Sequence, residues 1–277
     1  DIPGQSWSSP VVWGDHIFVT SAISAGEEPP PIPGLYDPGD DNGATRSSQV
    51  HRWVMYDIDF KTGRLRWQQE LHSEAPTIAK HIKNSYASET PVTDGQHVYV
   101  LFGDVGCYCL TLDGNLVWEK KLPACRTRYG WGTAASPVLH EDRLYIVSDN
   151  DDASYLLALE KATGDEVWRV DREEKSNWAT PFIWKNKLRT EIITPGTGKV
   201  RSYDLTGKLL YEFGGCSSIT IALPYEAHGL LFVSSGYIGD PKKPLFALKP
   251  GARAAISRRP RPPPPRRPRP RPRPPAP

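Results

Sequence analysis

Residues 89–122 read ETPVTDGQHVYVLFGDVGCYCLTLDGNLVWEKKL. Residues 89–93 predict a short first strand, and Asp94-Gly95 is a tight turn. Residues 96–102, rich in β-branched and aromatic side chains, predict a second strand. Residues 104–106 break it. Residues 107–112 predict a third strand, Asp113-Gly114 turns again, and residues 115–122 form a fourth strand that carries Trp118. Four antiparallel strands with turn chemistry at every joint, and no sustained helical period, predict an all-β unit.

The unit recurs. Four residues after a turn glycine stands an aromatic: Gly63 and Trp67, Gly114 and Trp118, Gly164 and Trp168, Gly207 and Tyr211. A proline opens a β run at Pro10, Pro91, Pro137, Pro181 and Pro224, at intervals of 81, 46, 44 and 43 residues. The first interval is one period plus an insertion, placed at residues 21–51. A four-stranded repeat of this length predicts the blade of a β-propeller. About five blades are expected, the fifth without its aromatic strand. A single blade cannot bury both its faces. Trp67, Trp118, Trp168 and Tyr211 are therefore read as structural, wedged against the neighbouring blade.

The segments MYDIDFKTGRLRW (55–67) and LLALEKATGDEVW (156–168) resemble the pyrroloquinoline quinone (PQQ)-like propeller repeat shared by quinoprotein dehydrogenases and the outer-membrane assembly lipoprotein BamB. The resemblance covers residues 6 to 252. It implies an all-β propeller of four-stranded antiparallel blades, with the chain a part of a seven- or eight-bladed ring, and an extracytoplasmic, periplasmic setting in bacteria. The fold is shared by enzymes and binding proteins, so it does not decide between them. Quinoprotein dehydrogenases place an adjacent cysteine pair over the quinone and hold Ca²⁺ with Glu, Asn and Asp. Here Tyr108 separates Cys107 from Cys109, which share one strand face, and no such ligand set matches residue by residue. The leading expectation is a non-catalytic BamB-like scaffold with no cofactor. The alternative is a PQQ- and Ca²⁺-dependent oxidoreductase or a degenerate relative of one.

Composition narrows the partners. The chain has 34 Lys and Arg against 32 Asp and Glu, a net charge of +2. Eight of the arginines lie in residues 258–277, so the propeller body, residues 1–257, is mildly acidic and gives no footprint for nucleic acid. Residues 258–277 hold only Arg, Pro and Ala, and predict a disordered extended tail. The switch to that composition falls inside the fifth repeat and reads as a truncation or a shifted frame rather than a working arm. The chain opens at Asp1 and its one Met is Met55, so the absence of a visible signal peptide leaves the compartment open. No run of 18 apolar residues encodes a membrane-spanning helix. The four cysteines and seven histidines lack zinc or haem spacing. Asp37, Asp40, Asp41 and Asn42 in the insertion offer oxygen ligands for Ca²⁺ but fit no EF-hand spacing, and read as a solvated loop.

In a propeller the loops that enter each first strand form one mouth of the central channel. Those loops carry Trp7, Asn84, Ser85, Glu89, Arg126, Arg128, Trp131, Asn177, Trp178, Ser217 and Ser218. Small residues beside Trp and Arg suit a surface for a protein partner or a small ligand. The competing reading is that Trp131 and Trp178 plug the channel while the serines satisfy backbone groups. No nucleophile elbow, metal triad or Gly-rich phosphate loop occurs, so no catalytic residue is expected.

Overall fold

Twenty-two strands build almost the whole of the computed structural model, which describes residues 1–27, 44–237 and 239–251, and the backbone alone of 256–258. Blade one comprises β1 (Val11–Trp13), β2 (His16–Ser24), β4 (His51–Asp59) and β5 (Leu65–Glu74), ordered β1-β2-β4-β5; β3 (Ala44–Thr45) lies in the intervening excursion and pairs with β6 (Lys80–His81). Blade two is β7 (Val92–Thr93), β8 (His97–Phe102), β9 (Gly106–Thr111) and β10 (Leu116–Lys121). Blade three is β11 (Val138–His140), β12 (Arg143–Ser148), β13 (Tyr155–Glu160) and β14 (Glu166–Asp171). Blade four is β15 (Phe182–Lys185), β16 (Thr190–Pro195), β17 (Lys199–Tyr203) and β18 (Leu209–Gly214). Blade five is β19 (Tyr225–Ala227), β20 (Leu230–Ser234), β21 (Leu245–Leu248) and β22 (Ile256–Arg258). All pairings are antiparallel, as expected of propeller blades. First strands of successive blades approach one another, β1 with β7, β7 with β11 and β11 with β15. The sole helical element among the described residues is a 3₁₀ turn at Arg128–Gly130.

The core is a series of seams between blades rather than one central cluster. Phe18, Trp53 and Met55 of blade one meet Val98, Val100, Phe102 and Leu110 of blade two. Cys107, Cys109 and Trp118 of blade two meet Leu144, Ile146 and Leu157 of blade three. Blade three meets blade four through Tyr145, Leu156, Ile192 and Tyr203, and blade four meets blade five through Trp184, Ile193, Phe246 and Leu248.

Each repeat tryptophan locks one seam in the same way. The indole N–H of Trp67 donates to the carbonyl of Leu112 at 2.8 Å, Trp118 to Lys161 at 2.9 Å, and Trp168 to Leu205 at 3.0 Å. Each ring also rests on the turn glycine of the next blade. A Cβ added at Gly114 would lie 2.7 Å from Trp67, and one at Gly164 would lie 2.6 Å from Trp118. These glycines hold φ of +86° and +76°, so they serve both as turn residues and as indole seats. Tyr211 packs in the seam with blade five, although its hydroxyl lies by Glu191 and Ser202 of its own blade. A register shift sits directly before every one of these aromatics, between the residues paired with Leu65 and Trp67, Leu116 and Trp118, Glu166 and Trp168, and Leu209 and Tyr211. Such a bulge twists the outer strand and re-aims the side chain that follows.

Two boundaries differ from the sequence expectation. The segment 21–51 is not loop throughout: β2 continues to Ser24 and β4 starts at His51, in register for nine residue pairs. Blade one simply has longer middle strands than the repeat average. The fifth sheet also has a fourth strand, because Ile256–Arg258 pairs with β21 by backbone hydrogen bonding that needs no tryptophan. The acidic stretch at 37–42 and the tail from 259 lie outside the described residues.

Candidate functional site

Antiparallel order sends the loops between blades and the second-to-third-strand turns to one end of the sheets. The loop 125–137, entering blade three, contributes a 3₁₀ turn at which Tyr129 adopts φ +58°, a conformation costly for a bulky residue. That turn presents Tyr129, 44% exposed, beside Trp131, with ring centroids 5.1 Å apart. Trp131 in turn meets Trp178 at 5.6 Å, His81 at 5.8 Å and Tyr237 at 6.3 Å. The Arg128 guanidinium lies 5.1 Å over the Tyr129 ring and donates to the carbonyl of Ser218 at 3.3 Å. The loops entering blades two to five and the turn between β20 and β21 thus assemble one aromatic and cationic cluster.

The remaining sequence candidates hold these loops in place. The Asn84 amide donates to the carbonyls of Trp131 (2.8 Å) and Thr133 (3.2 Å). Asn177 donates to the Lys175 carbonyl and accepts from the Thr220 N–H, both at 2.9 Å. Ser85 is buried and its hydroxyl accepts from the N–H of Ala87 at 3.1 Å. Ser217 is buried and its hydroxyl donates to the Ile219 carbonyl, while the Ser218 N–H donates to Asp240 at 2.8 Å. Trp178 is buried and donates from its indole to the Gly132 carbonyl at 2.7 Å. Trp7 is half-exposed at the start of the chain, and Arg126 stands on the rim, forked onto Asp152 at 2.6–2.8 Å.

Glu89 is sealed rather than displayed. It is 2% exposed, and its Oε1 has no hydrogen-bond partner among the described residues. A Cβ on Gly103 would clash with Glu89 Oε1 at 2.7 Å and with Thr133 Oγ1 at 2.5 Å, so the bare glycine permits this packing. Beside it is a cavity of about 30 Å³, the size of one water, also lined by Asp149, Asn150 and Asn177. Burial pushes the Glu89 carboxyl up to about 7. Asp104, in the neighbouring turn, is raised to about 7 by burial and then by the charge of Glu89. Asp149 forks onto the buried Arg172 at 2.8 and 3.0 Å. Sequence reasoning missed Tyr129, Tyr237 and Asp104; only Tyr129 carried a signal, its place between Arg128 and Trp131.

The quinone and Ca²⁺ implied by the repeat do not fit these residues. Glu89 faces Gly103 and Thr133 inside the packed loops, and no three His, Cys, Asp or Glu side chains gather as metal donors among the described residues. Cys107 and Cys109 lie in the seam between blades two and three, with Cys109 pushed up to about 12 by burial, and so remain protonated thiols.

Comparison with known proteins agrees with this architecture. Among solved structures, the chain is similar to the quinohemoprotein alcohol dehydrogenase of Comamonas testosteroni, at 12% identity and TM-score 0.55, over 88% of this chain and 40% of that one. It is similar to the quinohemoprotein alcohol dehydrogenase of Pseudomonas putida HK5, at 12% identity and TM-score 0.51, over 89% and 39%. BamB from Moraxella catarrhalis matches at 15% identity and TM-score 0.48, over 75% and 56%. At these identities the likeness to the two dehydrogenases is one of fold, and the chain spans about half or less of the length of each of the three, between 39 and 56%. No curated protein matches. A family model described as outer membrane protein assembly factor BamB matches residues 51–213, the stretch that holds the three tryptophan locks and most of four blades. By its repeat, its seams and this match, the chain belongs to the BamB family of PQQ-repeat propellers.

Proposed function

We propose that the chain is a non-catalytic, extracytoplasmic binding scaffold whose loop end takes a protein partner. The observation that carries this reading is the cluster of Tyr129, Trp131, Trp178 and Arg128. Aromatic side chains, which bury large areas with little rotamer entropy, and arginine, with its planar fork of donors, dominate binding energy at protein interfaces. Here their loops are pinned by Asn84 and Asn177, so little ordering remains to oppose binding. Glu89, the carboxylate that sequence placed in this loop set, is withdrawn from solvent and held neutral below about pH 7. That arrangement supports docking better than acid–base chemistry, which needs a group within hydrogen-bond reach of a substrate. The extracytoplasmic setting rests on the family.

Site-specific photo-crosslinking in the source cells tests the reading, with the reactive side chain placed at position 129 or, as a control at the opposite end, at position 60. A discrete protein adduct from 129, absent from 60 and lost with Trp131→Ala, is the expected result. No adduct, or equal adducts from both positions, would overturn it.

A further inference from the structure

The opposite end of the sheets carries a feature independent of the loop cluster. There the turn between β15 and β16, the turn between β19 and β20, and the end of β21 frame a groove of about 600 Å³. Lys185, Lys187 and Lys249 line it, with His228 and Asn186. Glu226 is the groove's carboxylate. The walls are built. Asn186 accepts from the N–H groups of Leu188 (2.9 Å) and Arg189 (3.2 Å) and donates to the buried Glu191 at 3.1 Å, which fixes the turn bearing two of the lysines. His228 and Gly229 hold φ of +54° and +70°, a tight hairpin. Leu188 touches the turn at Gly251, where an added Cβ would lie 2.9 Å from it.

Four cations at this same end of blades one to three have carboxylate partners. Lys61 pairs with Asp15 at 2.8 Å, Arg66 with Asp59 at 2.5 Å, Lys161 with Asp94 at 2.9 Å, and Arg143 with Glu160. None of the three groove lysine side chains has a hydrogen bond or ion pair among the described residues. Glu226 offsets one of the three positive charges that line this concave surface, the remaining excess favours an entering anion, and a concave wall focuses that field outward. The volume falls within the range of small-molecule sites. Ammonium groups are compact point charges that suit phosphate oxygens without the planar fork of arginine.

We propose that this groove binds a ligand bearing two or more phosphate groups, held by Lys185, Lys187 and Lys249. Free pyrophosphate and a bisphosphorylated lipid headgroup present the same chemistry. Because eight arginines in residues 258–277 attract any polyanion, the test must be resolved by residue. Lysine acetylation of the full chain is mapped by mass spectrometry with pyrophosphate, and separately with phosphatidylcholine vesicles carrying a bisphosphorylated lipid. Reactivity should fall together at Lys185, Lys187 and Lys249 and stay constant at Lys61. Protection by pyrophosphate identifies a free ligand as sufficient, and protection by vesicles alone identifies a lipid-borne one. Lys187→Gln should weaken the effect at the other two about tenfold, as expected for one charge-assisted contact. No protection by either probe, or equal protection at Lys61, overturns the proposal.

Discussion

Replacing Trp118 with alanine should cost about 4 kcal/mol of folding free energy. The indole is 8% exposed and sits in the seam between blades two and three, in one buried cluster with Leu144, Ile146 and Leu157. Burying a tryptophan removes roughly 150–250 Å² from water, which at about 25 cal/mol per Å² contributes roughly 4–6 kcal/mol. Alanine keeps a part of that, and measured Trp→Ala losses of about 3–5 kcal/mol agree. The carbonyl of Lys161 also loses its donor, a further ~1 kcal/mol if water cannot replace it. The seam has a second half that provides a sharper test. Gly164→Ala places a methyl 2.6 Å from the Trp118 ring and strains a backbone at φ +76°, so it too destabilises. Once Trp118 is alanine the steric part of that penalty disappears. Urea and thermal unfolding of the parent, the two single variants and the double variant complete the cycle. The double variant should be more stable than the sum of the singles predicts, by ~1 kcal/mol or more. A Trp118→Ala protein that melts like the parent, or a strictly additive pair, would refute the seam as described.

Further expectations follow from other parts of the molecule. Glu89 and Asp104 have folded values of about 7, above their ordinary 4.5 and 3.8, so the native state holds protons that the unfolded chain releases. Stability is therefore greatest below about pH 4 as far as this pair is concerned and falls as pH rises through about 7; Glu89→Gln should stabilise more at pH 8 than at pH 5, on the order of 3 kcal/mol at most, and an equal effect at both would contradict the assignment. Arg172→Ala leaves Asp149 buried without its fork and should cost about 3–5 kcal/mol by urea unfolding, whereas a change below ~1 kcal/mol would show the pair to be solvated. Val12 and Trp13 of blade one and Ile221, Leu223 and Tyr225 at blade five are all about half-exposed, so light scattering of the isolated chain should show self-association; a sharp-melting monomer would contradict this.

The propeller was legible because its seams depend on residues that announce themselves locally. A glycine that must take positive φ, followed four places later by an aromatic, marks the third-to-fourth-strand turn wherever it recurs, at Gly63, Gly114, Gly164 and Gly207. What the pattern hides is that the glycine of one blade seats the tryptophan of the blade before. Gly63 illustrates the difference: it has the same φ class, yet an added Cβ there meets nothing within 4 Å. The bulges before Trp67, Trp118, Trp168 and Tyr211 were equally invisible, since one extra residue in a strand leaves no compositional mark. At the loop end, residue type identified the aromatic and arginine positions, but whether a polar side chain faces solvent or a neighbouring loop depends on tertiary approach. Glu89 stands among small residues in sequence and reads as open; Gly103, fourteen residues on, lets a different turn close over it. Asp104 reads as a strand breaker and also becomes a buried carboxyl because that same turn is folded inward.

The non-catalytic reading is tested most directly by adding PQQ and Ca²⁺ to the purified full-length chain and measuring both quinone binding and dye reduction with alcohols and aldose sugars. With Glu89 buried 2% exposed and the thiols of Cys107 and Cys109 confined to a blade seam, the account predicts no stoichiometric quinone binding and no substrate-dependent reduction. Tight, one-to-one binding with turnover that disappears in Glu89→Gln would contradict it and identify an oxidoreductase.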